Sequence, residues 1–394
     1  MGERRFVGLP GGAAVAWLAV GVVAGTLLLG TALGSSPPGS PSPSTPGPSL
    51  AGTGAPIAAA PSAELSPSDA ASASAAPSTS PSATPSVAPP TPAGSLFPGG
   101  LLIADRGNGR LLVVSTAHRV VWSFPTAGSL PRGQQFSADD AFVAPDGKTI
   151  MANDEEHQVI DRIDIATRRI VWQYGHYGRV GSGTGFLNTP DDAYPLANGN
   201  VVIADIRNCR ILEIAPSKRV VHQWGRTGVC VHDPPRTFAM PNGDTPLPDG
   251  GLLITEITGS RVIRLGPDGR VRFDIHVPAT YPSDAQLEPD GSVLVVDYAK
   301  PGAILRVAPN GRLLWRYAFG TGSRALDHPS LAVPLPNGLI ALNDDFRQRV
   351  IVVDPRTRRI VWQYGTTDRA ARSANHLFIP DGIDAVPAGL FPHT

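Results

Sequence analysis

The chain has 394 residues, and its 33 Lys and Arg are balanced by 33 Asp and Glu to give a formal net charge of zero. That balance excludes the strong positive field on which nucleic-acid binding rests. The length admits two or three domains, or one large all-β domain with attachments, and the composition changes sharply along the chain.

Residues 1–12 carry Arg4 and Arg5 and precede an uncharged run of 21 residues from Ala13 to Leu33. At about 1.5 Å per residue this run matches a hydrocarbon core of roughly 30 Å. It is longer than the apolar core of a cleavable signal, about 7–15 residues, and the best small-x-small candidate, Gly30-Thr31-Ala32, is a poor cleavage site. We expect a cytoplasmic 1–12 and a transmembrane signal anchor over 13–33, the alternative being a cleaved signal and a secreted product. Both place the remainder outside the cytoplasm. Residues 34–95 are nearly all Pro, Ser, Ala, Thr and Gly, with Glu64 and Asp69 as the only charges. Such sequence buries too little apolar surface to offset its ordering entropy and predicts a disordered linker.

From Leu96 onward the chain is repetitive. The nonapeptide TRRIVWQYG stands at 167–175 and again at 357–365. Weaker copies are HRVVWSF (118–124), KRVVHQW (218–224), GRVRFDI (269–275) and GRLLWRY (311–317), each a basic residue, an apolar pair and usually alternating aromatics. Alternation of this kind reads as a β-strand. Ahead of each copy lie two apolar strands joined by a tight turn, as in LLIADRGNGRLLVV and VVIADIRNCRILEI, preceded in turn by a Gly signal such as PDG, ANG or PNG. The acidic residues that close the first of these strands, Asp105, Asp154, Asp205, Glu256, Asp297 and Asp344, are 49, 51, 51, 41 and 47 residues apart. Four-stranded units at about 40–50 residues predict propeller blades, here an all-β six-bladed propeller over 96–394. The first unit lacks its innermost strand, and NHLFIPDGIDAVPAG near the C-terminus matches the missing segment. A 3+1 closure of the ring follows.

The run GRVGSGTGFLNTPDDAYPLANGNVVIADIRNCRILEI resembles an NHL repeat through Ala204, Asp205, Asn208 and Arg210, and the first unit does so through Ala104, Asp105, Asn108 and Arg110. The segments Asp164 to Trp172 and Asp354 to Trp362 are similar to quinoprotein propeller repeats, with Arg168 or Arg358 where that pattern has Gly. The resemblance implies a propeller architecture; proteins built this way include sensors, scaffolds, lyases and lactonases, so it does not fix a function.

Recurrence at one place in each unit marks the aromatics, including His222 in the position of Trp122, Trp172, Phe273, Trp315 and Trp362, as packing between blades. Recurrence also marks the acidic turn residues as structural, with Arg110, Arg210 and Arg261 as their partners. A second acidic series, Asp140, Asp192, Asp244, Asp284 and Asp384, falls near the start of the innermost strand in five units, the sixth offering Ser330. Carboxylates converging on the propeller axis repel one another unless a cation or bound cationic group neutralises them, and an oxygen-rich set suits Ca²⁺ or Mg²⁺. The alternative is that each caps its own loop. His176, His232, His328 and His376 lie in loops before the innermost strands and offer Zn²⁺ ligands, without a fixed ligand spacing. Cys209 and Cys230 fall on one face of the third unit, in an exported domain that can keep a disulfide; two free thiols are the alternative.

The leading expectation is a membrane-anchored extracytoplasmic module that binds an unidentified protein or small-molecule ligand at the propeller face. The rival is an enzyme, either a metal-assisted lyase or lactonase or a quinoprotein-like oxidoreductase, using the central pocket. No nucleophile elbow, phosphate loop or dinucleotide fingerprint is present in the sequence.

Overall fold

The computed structural model describes residues 95–391. The expected cytoplasmic 1–12, the anchor over 13–33 and all but the last residue of the linker over 34–95 lie outside the described residues. No helix among the described residues is long and apolar enough to cross a membrane.

Six four-stranded antiparallel sheets form the blades, with strands A, B, C and D hydrogen-bonded in that order. Strands A are Pro380–Ala385 in blade 1, Ala141–Val143 in blade 2, Pro190–Pro195 in blade 3, Pro241–Pro246 in blade 4, Pro282–Leu287 in blade 5 and Ala332–Pro334 in blade 6. The ring closes as expected: C-terminal strand A pairs with strand B of blade 1, Leu101–Asp105, placing Ile383 opposite Ile103 and Asp384 opposite Leu102.

Strand B of blade 1 and its counterpart Val201–Asp205 in blade 3 are buried along their whole length. Neighbouring blades cover both faces of these strands, which is why they read as continuous apolar runs. The repeated nonapeptides form strand D of blades 2 and 6, Arg169–Gly175 and Arg359–Tyr364, and carry the alternating burial of an outer strand. Within them Thr167 and Thr357 donate their hydroxyls to Asp164 and Asp354 at 2.7 and 2.9 Å, so the Asp-x-x-Thr spelling closes the turn between strands C and D.

Two periodic bonds hold the ring. The acid ending each strand B accepts a backbone N–H from the loop entering strand A of the same blade, at 2.7–3.0 Å, from Phe378, Ser137, Asn188, Ala239, Thr280 and Asp327 in turn. Arg110, Arg210 and Arg349 pair with Asp105, Asp205 and Asp344. Arg261 differs from expectation: it pairs with Asp274 at 2.7 Å, because His232 takes the Glu256 carboxylate at 2.6 Å. The second bond joins blades. Trp122, Trp172, Trp315 and Trp362 donate their indole N–H to a carbonyl of the next blade, those of Ile165, Pro216, Pro355 and Thr116, at 2.8–3.0 Å.

Cys209 and Cys230 are joined as a disulfide. In the chain-entropy picture a closed loop of about 20 residues stabilises by roughly 3 kcal/mol. Reducing agent is therefore expected to lower the unfolding temperature of the wild type and to leave a Cys209→Ser, Cys230→Ser variant unchanged. A wild type indifferent to reductant overturns this.

Candidate functional site in the axial channel

Strand A lines the axis, and its first residues set three tiers. The mouth tier is the residue after the leading proline or alanine: Asp139, Asp191, Asn242, Ser283, Ser330 and Asp381. Turns following strand B add Arg106, Glu155 and Asp345. Arg106 binds three carboxylates at once, Asp139, Asp381 at 2.6 Å and Glu155 at 2.8 Å. Asn242 donates to Asp191 and to the Ser283 carbonyl, and accepts the Tyr281 hydroxyl at 2.8 Å. Asn343 donates to Asp345 at 2.7 Å and to the Pro380 carbonyl at 2.9 Å, crossing from blade 6 to blade 1.

Gln158 and Gln348 hold the rim by accepting the backbone N–H of Thr189 and Ile379 at 2.8 Å. Both of those β-branched residues sit at positive φ, 61° and 49°, a conformation they avoid unless the surroundings impose it.

The middle tier holds Asp140, Asp192 and Asp284, with Asp244 one residue farther along its strand, all buried. Asp244 stands opposite Ile254, the place in the blade register occupied elsewhere by Ala141, Ala285, Ala332 and Ile383. In the inner tier side chains meet across the axis. Gln286 of blade 5 reaches Tyr194 of blade 3 at 3.2 Å and Asp284 at 3.1 Å. Tyr194 stacks on Phe142 with ring centroids 4.0 Å apart. Gly382 has no room for a side chain, since a Cβ there would meet Asp140 Oδ1 at 2.5 Å.

Burial is the main force on these carboxyls. It pushes Asp191 and Asp284 up to about 7. Burial, reinforced by neighbouring aspartates, drives Asp140, Asp192 and Asp244 well above the carboxylate range. Burial likewise raises Asp139, whereas in Asp381 burial is outweighed by the Arg106 guanidinium acting together with hydrogen bonds to Asp139 and Asp345, which hold that carboxyl low. Asp192 Oδ2, both oxygens of Asp244 and Asp345 Oδ2 are buried without a hydrogen-bond partner. Leaving such groups bare is costly unless a proton or a cation neutralises them. One oxygen from each of Asp139, Asp140 and Asp191 lies within 4.8 Å of the others. With Ca–O distances of about 2.3–2.6 Å, three oxygens so spaced are able to share one ion.

The five aspartates expected at the axis thus fall at three levels: Asp140, Asp192 and Asp284 in the middle, Asp244 one residue on, opposite Ile254, and Asp384 farther in, opposite Leu102, where it accepts the Val143 N–H at 2.8 Å. Sequence reasoning missed Asp139, Asp191, Asp381 and Arg106. The doublets Asp139-Asp140 and Asp191-Asp192 are the available signal, and the expected series holds only the second member of each. The histidines are held by their own surroundings. His176 packs on Phe186, His232 bridges Glu256 and Asp274, His328 bonds Asp327, and His376 bonds Ser373. Among the described residues, the one group of three or more side chains placed to share a metal contains none of them.

No family model and no curated protein matches the chain. Among solved structures it is similar to a protein of unknown function from Bacteroides caccae, with 16% identity, a TM-score of 0.52, and 73% of this chain and 98% of that one covered. It also aligns with a streptogramin B lyase at 14% identity and a TM-score of 0.42, covering 58% of this chain and 70% of the other. A virginiamycin B lyase from Staphylococcus aureus aligns at 16% identity and a TM-score of 0.41, covering 58% and 69%. At 16% identity the first of these is a likeness of fold alone.

Proposed function

We propose that the chain is a membrane-anchored extracytoplasmic binding module whose propeller takes up a divalent cation, Ca²⁺, in its axial channel. The observation that carries this reading is the set of partnerless buried oxygens on Asp192 and Asp244 beside the Asp139, Asp140 and Asp191 triad. A hard cation with flexible oxygen coordination offsets the repulsion that those carboxylates otherwise impose. The inner tier, where Gln286 bonds Tyr194 across the axis, favours approach from the mouth, past Arg106. The anchor reading rests on the apolar run at 13–33, and the NHL-like reading of the repeat on the Asp-Asn-Arg sets of blades 1 and 3, where Asn108 and Asn208 bond Asp105 and Asp205. Both are consistent with a rigid module carried outside the cell on a polar stalk.

Calorimetric unfolding with Ca²⁺ or with chelator tests the cation. At a hundredfold excess over its dissociation constant, an ion bound only by the folded state stabilises by about 2.7 kcal/mol. The wild type is expected to show that gain and Asp140→Asn to lose it while still unfolding cooperatively. A wild type that ignores both additions, or an undiminished gain in the variant, overturns the proposal.

A further inference from the structure

The cleft between blades 3 and 4 departs from the pattern by which the other blades seal against one another. In four blades the strand-D indole fills this cleft and donates its N–H to a carbonyl in the following strand C–D turn. Blade 3 has His222 in that register position, opposite Glu213, as Trp172 stands opposite Arg162 and Trp315 opposite Arg306. His222 is exposed and leans on Trp224, with ring centroids 4.1 Å apart. The carbonyl equivalent to that of Pro216 belongs to Pro267, and no group among the described residues donates to it. What remains is a cavity of about 410 Å³, floored by Leu196, Val202 and Leu252 and walled by Trp224, Glu213 and Pro267. Small-ligand pockets run at about 300–1,000 Å³. Blade 4 also lacks the indole, but its Phe273 packs against the neighbouring apolar cluster.

We propose that this cleft binds an indole-class aromatic amine. The other blades supply the template, since the vacated space is one in which an indole sits four times with its N–H on a backbone carbonyl. The charge on the wall is reversed, which selects the amine. Arg162 and Arg306 lie over the indoles of blades 2 and 5 at 5.7 and 5.4 Å. Blade 3 instead presents the Glu213 carboxylate, one oxygen of which accepts from Asn200, and a ligand ammonium complements it. Trp224 offers a face on which the ring stacks. This site is independent of the axial channel.

Tryptamine titrated into the full-length protein by isothermal calorimetry is expected to bind saturably at one site. His222→Trp refills the cleft and is expected to weaken that binding at least tenfold while raising the unfolding temperature. Glu213→Gln is expected to weaken tryptamine several-fold and leave uncharged indole unchanged, an arm that stands even if His222→Trp fails to fold. Asp244→Ala, in the axial channel, is expected to leave tryptamine binding intact. Absence of saturable binding, equal affinity in wild type and a folded His222→Trp, equal loss of indole and tryptamine in Glu213→Gln, or loss of binding in Asp244→Ala overturns the proposal.

Discussion

A chain ending at Asn375 is expected not to fold. The truncation removes strand A of blade 1 and with it the buried side chains Leu377, Ile383, Val386 and Phe391. At about 1.5–3 kcal/mol for each apolar side chain taken out of water, the loss is roughly 6–12 kcal/mol. A typical domain has a total stability of about 5–15 kcal/mol. Two further losses compound it: Asp105 no longer receives the Phe378 N–H, and Arg106 loses Asp381, leaving strand B of blade 1 an exposed apolar edge. The measurement is cooperative thermal unfolding with light scattering, and a synthetic peptide covering 376–391 supplied in trans is expected to restore the transition in part. A truncated chain that melts cooperatively at the wild-type temperature refutes the closure as the source of stability.

The blades were legible because two signals coincide once per unit: an apolar run buried on both faces, and an acid that must end it to catch the loop N–H. Neither depends on long-range geometry. The axial site was legible only in part, for a reason that lies in strand A itself. Register shifts fall between Asp191 and Tyr194, between Pro241 and Asp244, and between Pro282 and Ala285. Each bulge adds a residue to one side of the ladder and breaks the period-2 count, so counting along the strand cannot say whether Asp191 or Asp192 faces a given neighbour. Asp384 was drawn into the expected ring by the spelling IDAV, yet its pairing with Leu102 places it beyond the tier that holds Asp284. Arg106 was illegible for another reason: it occurs once, in a turn where other blades carry Glu155, Ile206, Ile257, Tyr298 or Asp345, and a repeat alignment hides what is unique. His222 was visible as an exception, but the cavity that it leaves depends on the neighbouring blade and has no one-dimensional trace.

Asp244→Ala is expected to make the cation-free protein more stable, and more so at pH 8 than at pH 5. The position takes Ala in blades 2, 5 and 6, so the methyl group fits the register, while both oxygens of the native carboxyl are buried without partners. An unsatisfied buried polar group costs about 1–3 kcal/mol, more when charged, and the substitution removes that cost. The pH dependence follows from the direction of the shifts. Asp191 and Asp284 are raised from 3.8 to about 7, and Asp140, Asp192 and Asp244 are raised further, all chiefly by burial. The folded state therefore holds protons that the unfolded chain releases. The stability contributed by these groups is complete below pH 3.8 and is lost as the pH rises through about 7 and beyond. Asp381, depressed by Arg106, acts in the opposite sense, its contribution disappearing only as the pH falls below its ordinary value. Asp161 and Asp344, raised by burial to about 7 and about 6 away from this tier, titrate in the same window, so the wild-type profile alone does not isolate the channel. The difference between wild type and Asp244→Ala does: chemical denaturation in chelator is expected to show the variant ahead by about 1–3 kcal/mol at pH 8 and by less at pH 5. If Asp244 instead caps a loop, the variant falls below wild type at both pH values.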